Sequence, residues 1–207
     1  MKCMLVICAL LLCTGVSNAQ QPATQPIDGI DARSNSAEFA QQLGSTDPLL
    51  RRRSAEALAR LAATEHLTLV QGYQVQEKNK DVRLALDWAL YRMGRSEALY
   101  RVVRDLDSDR QEQAVGYLAE LEAPDLLYPF LKKQNNPPRV NAGLLKALAR
   151  NGDAQTLEIV KSFRDSTQPF VAEAAEIAHD EIEKRLGEPQ QPTRVRPRTV
   201  GTVADRP

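Results

Sequence analysis

The side chains that could perform acid–base, nucleophilic or metal chemistry are few and far apart in this sequence. It contains two histidines, His66 and His179, which are over a hundred residues apart, and three cysteines, all within the first 13 residues. It has no glycine-rich phosphate loop, no His-Glu-x-x-His and no Gly-x-Ser-x-Gly. Because a metal or catalytic site needs several convergent groups, we predict no catalytic residues, no metal and no cofactor.

Residues 1–19 have the features of a secretory signal peptide. Lys2 precedes an uncharged apolar stretch over residues 3–16, and the sequence SNA at 17–19 supplies the small residues of a cleavage site. The stretch is short for a transmembrane helix, which needs roughly 20 apolar residues; an uncleaved anchor is the alternative. Lipidation at Cys13 is disfavoured because bulky leucines precede it. We therefore predict an exported protein, periplasmic or secreted.

Removal of the signal would leave a nearly neutral chain without cysteine. The sequence has 27 basic and 27 acidic residues, and loss of Lys2 with the signal leaves 26 basic against 27 acidic. Such a chain lacks the electrostatic footprint of proteins that bind nucleic acid or anionic membranes. No later segment is apolar enough to span a bilayer. We therefore predict a protein or peptide partner, no nucleic acid and no membrane span.

The rest of the sequence divides into a central helical block and two polar ends. Residues 20–35 are rich in Gln, Pro, Gly and Asp and predict a flexible linker. Residues 187–207 contain four prolines and several arginines but almost no large apolar side chain, which predicts a disordered tail. Residues 36–186 have helical periodicity throughout and no strand alternation, so we predict an all-α domain.

The central block repeats with a period near 30 residues, which is typical of stacked supersecondary units. The segment LRRRSAEAL at 50–58 returns as VRLALDWAL at 82–90, and weaker copies start at residues 110, 140 and 171. Each period predicts a first helix A and a second helix B, often with a capping residue such as Asp47 or Asn136 before a proline. The predicted A helices are 36–44, 65–77, 96–105, 124–133 and 153–164, and the B helices are 48–62, 80–93, 108–121, 137–150 and 168–186.

The B helices resemble HEAT repeats, particularly the short variety first noted in phycobilisome lyases. The second copy carries the likeness best, through Asn79, Val82, Arg83, Leu86 and Ala89-Leu90. The resemblance implies an α-solenoid of about five stacked antiparallel helix pairs, with the B helices lining a concave face. It implies little about function, since such repeats serve many roles.

Three families of HEAT-like enzymes do not match this sequence. Deoxyhypusine hydroxylases use repeated His-Glu pairs, which this sequence lacks. Phycobilin lyases act on cytoplasmic or plastid targets, which the export signal opposes. Alkylpurine DNA glycosylases use a basic groove, which the neutral charge opposes.

One apolar stripe is the candidate binding site. On the second B helix, Val82, Leu86, Ala89, Leu90 and Met93 share the predicted core face at helical spacing. Leu84, Trp88 and Tyr91 fall almost opposite, which would place them on the concave face as anchors for a partner. The same register places Arg52, Glu112 and Lys146 beside them on neighbouring repeats. The alternative is that Trp88, the single tryptophan, lies in the core between stacked B helices.

Four other aromatic residues, Tyr100, Tyr117, Tyr128 and Phe130, are interpreted as core or boundary residues. The sequence therefore favours a non-enzymatic interaction or scaffold module that uses the concave face. Two alternatives stay open, namely a small-molecule carrier or enzyme accessory subunit that uses the same groove, and a structural spacer.

Overall fold

The computed structural model describes residues 28–133 and 135–187, with side chains from Asn35 onward. This part of the chain is all-helical and contains no strand, which confirms the predicted all-α class. The predicted signal peptide, residues 20–27 of the predicted linker and residues 188–207 of the predicted tail lie outside it. The α-helices are α1 Asp28–Gln42, α2 Pro48–Leu61, α3 Leu67–Gln76, α4 Lys80–Arg92, α5 Ala98–Arg104, α6 Gln111–Leu118, α7 Tyr128–Leu131, α8 Pro138–Asn151, α9 Ala154–Arg164 and α10 Pro169–Gly187.

These bounds follow the predicted helix pairs closely. The even-numbered helices correspond to the predicted B helices, and the odd-numbered ones to the A helices. Three A helices include short 3-10 turns, at Thr64–His66, Asp105–Asp107 and Pro124–Leu127. The first helix begins earlier than predicted, since residues 28–35 of the expected linker are helical. A polar composition does not prevent a helix from forming, so composition alone placed the end of the predicted linker too late.

Local chemistry explains where several helices begin and end. Asp47 caps α2 by accepting a hydrogen bond from the Leu49 backbone nitrogen at 2.9 Å, with Pro48 at the first helical position. Asn79 caps α4 in the same way for two backbone nitrogens. The chain leaves α4 through Gly94 at φ 99°, a left-handed conformation that favours glycine. Asn136 does not cap α8, whose first residue is Pro138.

Each even-numbered helix contacts the next one, and α4 lies at the centre of the structure. Helix α2 packs against α1 and α4, α6 against α8, and α10 against α8 and α9. Helix α4 also contacts α3, α5 and α6, so it has neighbours on every side. Buried residues therefore run along most of α4, from Val82 to Leu90, with Arg83 exposed among them. The burial of its predicted core face, from Val82 to Met93, is confirmed.

The opposite face of α4 is buried as well, which corrects the prediction for two of its residues. Leu84 and Trp88 are each 1% exposed and belong to the hydrophobic core. The register placed them correctly away from Val82 and Leu86, but α6 packs against that side and removes it from solvent. The alternative interpretation of Trp88 as a core residue is therefore the correct one.

None of the helices that the structure describes combines the length and the apolar character needed to cross a membrane.

Candidate binding surfaces

Trp88, Tyr91 and Tyr117 form a stacked group, called here the closed cluster. The Trp88 ring lies 5.5 Å from that of Tyr91 and 5.6 Å from that of Tyr117, centroid to centroid, and is nearly parallel to Tyr117. The Arg92 guanidinium lies 5.7 Å from the centre of the Trp88 ring, a cation–π distance. Offset stacking of this kind adds to the stabilisation from burial. Trp88 is thus covered by its neighbours.

Hydrogen bonds fix the position of Tyr117 in the closed cluster. Its hydroxyl donates to Glu56 Oε1 at 2.7 Å and accepts from Gln113 Nε2 at 2.7 Å. Gln113 Nε2 also donates to the Asp81 carbonyl at 3.0 Å, which ties α6 to the start of α4. Burial raises the pKa of the Tyr117 hydroxyl well above its ordinary value. Because these polar atoms form their hydrogen bonds within the chain, the closed cluster is a structural part of the fold.

The predicted binding stripe is therefore not one surface. Leu84 and Trp88 are buried and cannot serve as exposed anchors, and Tyr91 is half-buried against Trp88. Arg52 is half-buried, with its Nε 3.6 Å from Glu56 Oε1. Only Glu112 and Lys146 of the predicted set are exposed.

Glu112 and Lys146 belong to a surface on α6, α8 and α10, called here the charged groove. The Lys146 ammonium lies 3.0 Å from Glu112 Oε1. The groove has a volume of about 500 Å³, and its one large exposed apolar side chain is Ile177, which is 53% exposed. Arg185 at its edge donates hydrogen bonds to the carbonyls of Ala149 and Gly152, which fixes the end of α10 on α8. Its charged groups are largely engaged within the chain.

A second surface, called here the aromatic pocket, opens between α5, α7 and the loop before α8. Its volume is about 610 Å³. Tyr100 is 70% exposed and meets the ring of Phe130 edge to face, with centroids 4.9 Å apart at 65°. Its lining residues are Tyr100, Val103, Arg104, Asp107, Pro129, Phe130, Lys132, Lys133, Asn136, Pro137 and Val140.

The periodicity of α5 explains why Tyr100 points outward. Ala98, Leu99, Val102 and Val103 are buried, so a residue at position 100 falls outside the apolar face. Arg104, one turn after Tyr100, is exposed on the same side. Tyr100 is therefore an aromatic residue on the polar face of an amphipathic helix.

Helix α7 positions Phe130 through its buried neighbours. Tyr128 and Leu131 are buried, and the Tyr128 hydroxyl lies 2.7 Å from Thr156 Oγ1. Burial raises the pKa of Tyr128, so it acts as a neutral hydrogen-bonding group. With these two side chains turned inward, Phe130 is half-buried at the surface.

Asn136 braces the loop at the other side of the aromatic pocket. Its Nδ2 donates to the Phe130 carbonyl and, at 2.9 Å, to Asn141 Oδ1. The side chain that the sequence assigned to helix capping thus links α7 to α8. This arrangement holds Phe130 and Pro137 in place before any ligand binds, which lowers the entropic cost of binding.

The sequence interpretation missed Tyr100 as a surface residue, although a signal for it was present. Tyr117 and Tyr128 are buried as predicted, and Phe130 is a boundary residue as predicted. The sequence interpretation treats Tyr100 as a core or boundary residue, but Tyr100 is 70% exposed. The helical register of residues 98–104 places it beside Arg104 and away from the apolar face.

The buried ionisable groups have structural partners. Asp87 is buried, and it accepts hydrogen bonds from Arg101 Nε and Gln74 Nε2. Burial raises the pKa of Asp87, and Arg101 opposes that effect. Arg51 forms a bidentate pair with Glu77 at 2.7 and 2.9 Å, and this pairing lowers the Glu77 pKa. Both pairs connect successive helices, so they hold the packing together.

His179, Asp180 and Glu183 are close enough together to be considered as metal ligands. His179 Nδ1 lies 3.5 Å from Asp180 Oδ1 and 3.8 Å from Glu183 Oε2, and both carboxylates are exposed. His179 Nδ1 is buried and forms no hydrogen bond with any residue that the structure describes. His66 lies elsewhere, with its Nε2 3.3 Å from Ser36 Oγ.

No protein-family model and no curated protein matches this chain.

Proposed function

We propose that this chain is an exported helical-repeat protein of the HEAT type that acts as a non-enzymatic interaction module. Five successive helix pairs, with contacts between consecutive even-numbered helices, support a short solenoid. The apolar and small residues at the N-terminus support export. In this proposal the aromatic pocket holds a segment of a protein partner.

The observation that carries the proposal is the exposed aromatic pair in the aromatic pocket. Tyr100 keeps most of its surface in solvent although it lies against Phe130 over an apolar floor formed by Val103 and Val140. Tyrosine is among the residues most enriched at binding hot spots. A tyrosine that the protein itself leaves exposed, in a pocket held in place by hydrogen bonds, is suited to contact a side chain of a partner.

The charged groove is the weaker candidate. It has a single exposed apolar side chain, Ile177, and its Lys146–Glu112 pair already satisfies part of its charge. Exposed ion pairs contribute little free energy, about 0–1 kcal/mol. A partner would have to compete with this pair without gaining much apolar contact. Binding through Arg52, Glu112 and Lys146 stays a prediction.

A small-molecule carrier is the second candidate function. The aromatic pocket's volume of about 610 Å³ lies within the usual range for such ligands, roughly 300–1,000 Å³. Native mass spectrometry of the purified protein distinguishes the two, since a carrier retains a bound species of defined mass. A protein that is free of ligand but binds peptides supports the interaction module.

Selection from a random peptide library tests the interaction module directly. Peptides displayed on phage are panned on the protein, and each enriched clone is then tested on Tyr100→Ala. The matched control is Phe170→Ala, which removes an aromatic ring that is 42% exposed on α10, outside the aromatic pocket. We expect clones that bind the parent and the control but not Tyr100→Ala. If the enriched clones bind all three proteins equally, the aromatic pocket is not the site.

A further inference from the structure

The rim of the aromatic pocket carries an excess of unpaired positive charge. Arg104, Lys132 and Lys133 are exposed around it, with Asp107 as the single acidic residue among the lining side chains. None of the three cations forms an ion pair with any residue between 28 and 187 that the structure describes.

Some cations elsewhere on the protein have ion-pair partners, whereas Arg104, Lys132 and Lys133 lie together around one pocket without such a partner among the described residues. Arg110 lies 2.8 Å from Asp105, Arg164 lies 2.6 Å from Glu176, and Lys146 is paired with Glu112. In a chain of nearly neutral overall charge, an uncompensated cluster creates a local positive potential. Such a potential favours a ligand of negative charge and raises its rate of association.

The interior of the aromatic pocket favours an extended segment with a proline or leucine side chain. Tyr100 and Phe130 supply ring surfaces, and Pro129 and Pro137 add rigid apolar faces. Aromatic-lined grooves of this kind bind proline-containing segments in an extended conformation, because those segments lose little entropy when they are ordered.

The chain's own ends do not have the chemistry of this ligand. Residues 188–207 contain four arginines, Arg194, Arg196, Arg198 and Arg206, against two acidic residues. Residues 1–27 contain no aspartate or glutamate. The rim would repel the net positive charge of the first segment and gain no ion pair from the second, so neither segment matches its charge.

Building on the proposed function, we propose that the aromatic pocket binds an extended acidic segment of another protein. A proline or leucine side chain of that segment lies between Tyr100 and Phe130. Its flanking carboxylates lie against Arg104, Lys132 and Lys133. The rings supply the apolar contact, and the cations select acidic over basic or neutral sequences.

Fluorescence anisotropy with synthetic peptides tests the charge preference. The probe is a fluorescein-labelled peptide with a central Pro-Leu-Pro flanked by glutamates, and the matched probe has glutamine at every glutamate position. Both are titrated with the full mature protein and with the triple variant Arg104→Gln/Lys132→Gln/Lys133→Gln. The control is Arg53→Gln/Lys80→Gln/Arg83→Gln, which makes the same change in net charge at exposed residues outside the pocket.

We expect the acidic peptide to bind the parent about tenfold more tightly than the glutamine peptide, because three exposed ion pairs of modest strength add together. The triple variant should lose that difference and the control should keep it. Higher salt should weaken binding of the acidic peptide only.

Three results would overturn the proposal. Equal binding of both peptides, lost in Tyr100→Ala, would remove the charge preference but leave the interaction module standing, whereas no binding of either would count against both. Dimerisation of the parent in sedimentation, abolished by the triple variant, would make a second copy of this chain the occupant instead.

Discussion

The closed cluster and the aromatic pocket use similar side chains with opposite outcomes. In the closed cluster, Trp88 is 1% exposed, stacked against Tyr91 and Tyr117, and the Tyr117 hydroxyl has two hydrogen-bond partners. In the aromatic pocket, Tyr100 touches Phe130 at its edge and is 70% exposed. The difference indicates that one aromatic group stabilises the fold and that the other is left exposed to solvent.

The difference arises because a different helix packs beside each aromatic group. Helix α6 contacts α4 and brings Tyr117 onto the Trp88 ring. Helix α7 is a single turn, from Tyr128 to Leu131, and leaves an open space beside Tyr100. An aromatic side chain on a helix is thus core or surface according to the length and position of its neighbour.

Replacing Trp88 by alanine should have the largest effect on stability. Removal of a fully buried tryptophan leaves a cavity, so we expect the unfolding free energy to fall by about 3–5 kcal/mol. Urea denaturation followed by circular dichroism measures it, and Trp88→Phe should recover part of the loss. Unchanged stability in Trp88→Ala would mean that the closed cluster is not part of the core.

The second largest difference in stability between the closed cluster and the aromatic pocket should come from removing one tyrosine hydroxyl. Tyr117→Phe removes the hydrogen bonds that the hydroxyl makes with Glu56 and Gln113, so we expect a loss of about 1–3 kcal/mol in unfolding free energy. Tyr100→Phe removes a hydroxyl from an exposed ring and should change stability by less than about 0.5 kcal/mol. Equal losses in the two variants, measured by the same urea titration, would contradict the distinction.

High pH should weaken the closed cluster through Tyr117. Burial raises the pKa of the Tyr117 hydroxyl. The folded state therefore keeps a proton that the unfolded chain releases at about pH 10. The stabilisation is complete below the unfolded pKa and is lost as the pH rises toward the folded pKa.

The unfolding free energy of the parent should therefore decline above about pH 10, by at most about 1.4 kcal/mol per pH unit from this group. The decline should be shallower in Tyr117→Phe, which has no hydroxyl to titrate. Urea midpoints across the alkaline range give both slopes. Parallel curves for the two proteins would show that Tyr117 does not contribute.

The smallest effect on stability is expected for Tyr100→Ala, together with a loss of peptide binding. Truncation of an exposed side chain should change the unfolding free energy by about 0.5 kcal/mol or less, while peptide affinity falls by about tenfold or more, as for a hot-spot residue. Anisotropy and urea denaturation of the same preparation measure the two quantities. A large stability loss would show that Tyr100 belongs to the core, and the comparison would then fail.

The sequence predicted the helices well and the exposure of the aromatic side chains less well. The repeat near 30 residues placed helix pairs close to their observed bounds, and the Asp47-Pro48 and Asn79 signals marked true helix starts. The binding stripe was wrong for Leu84 and Trp88, because the register of one helix says which residues share a face but not what lies against that face. Tyr100 was missed because burial was assumed from residue type.

By itself, the sequence determined the helical class, the boundaries of most helices and the core face of α4. These features depend on interactions within a few residues along the chain, namely hydrophobic spacing, capping oxygens and the glycine at position 94. Only the tertiary structure decided that Trp88 is covered by Tyr117 and that Tyr100 is left open beside Phe130. Both outcomes depend on where a neighbouring helix ends and how it packs, and no local pattern contains that information.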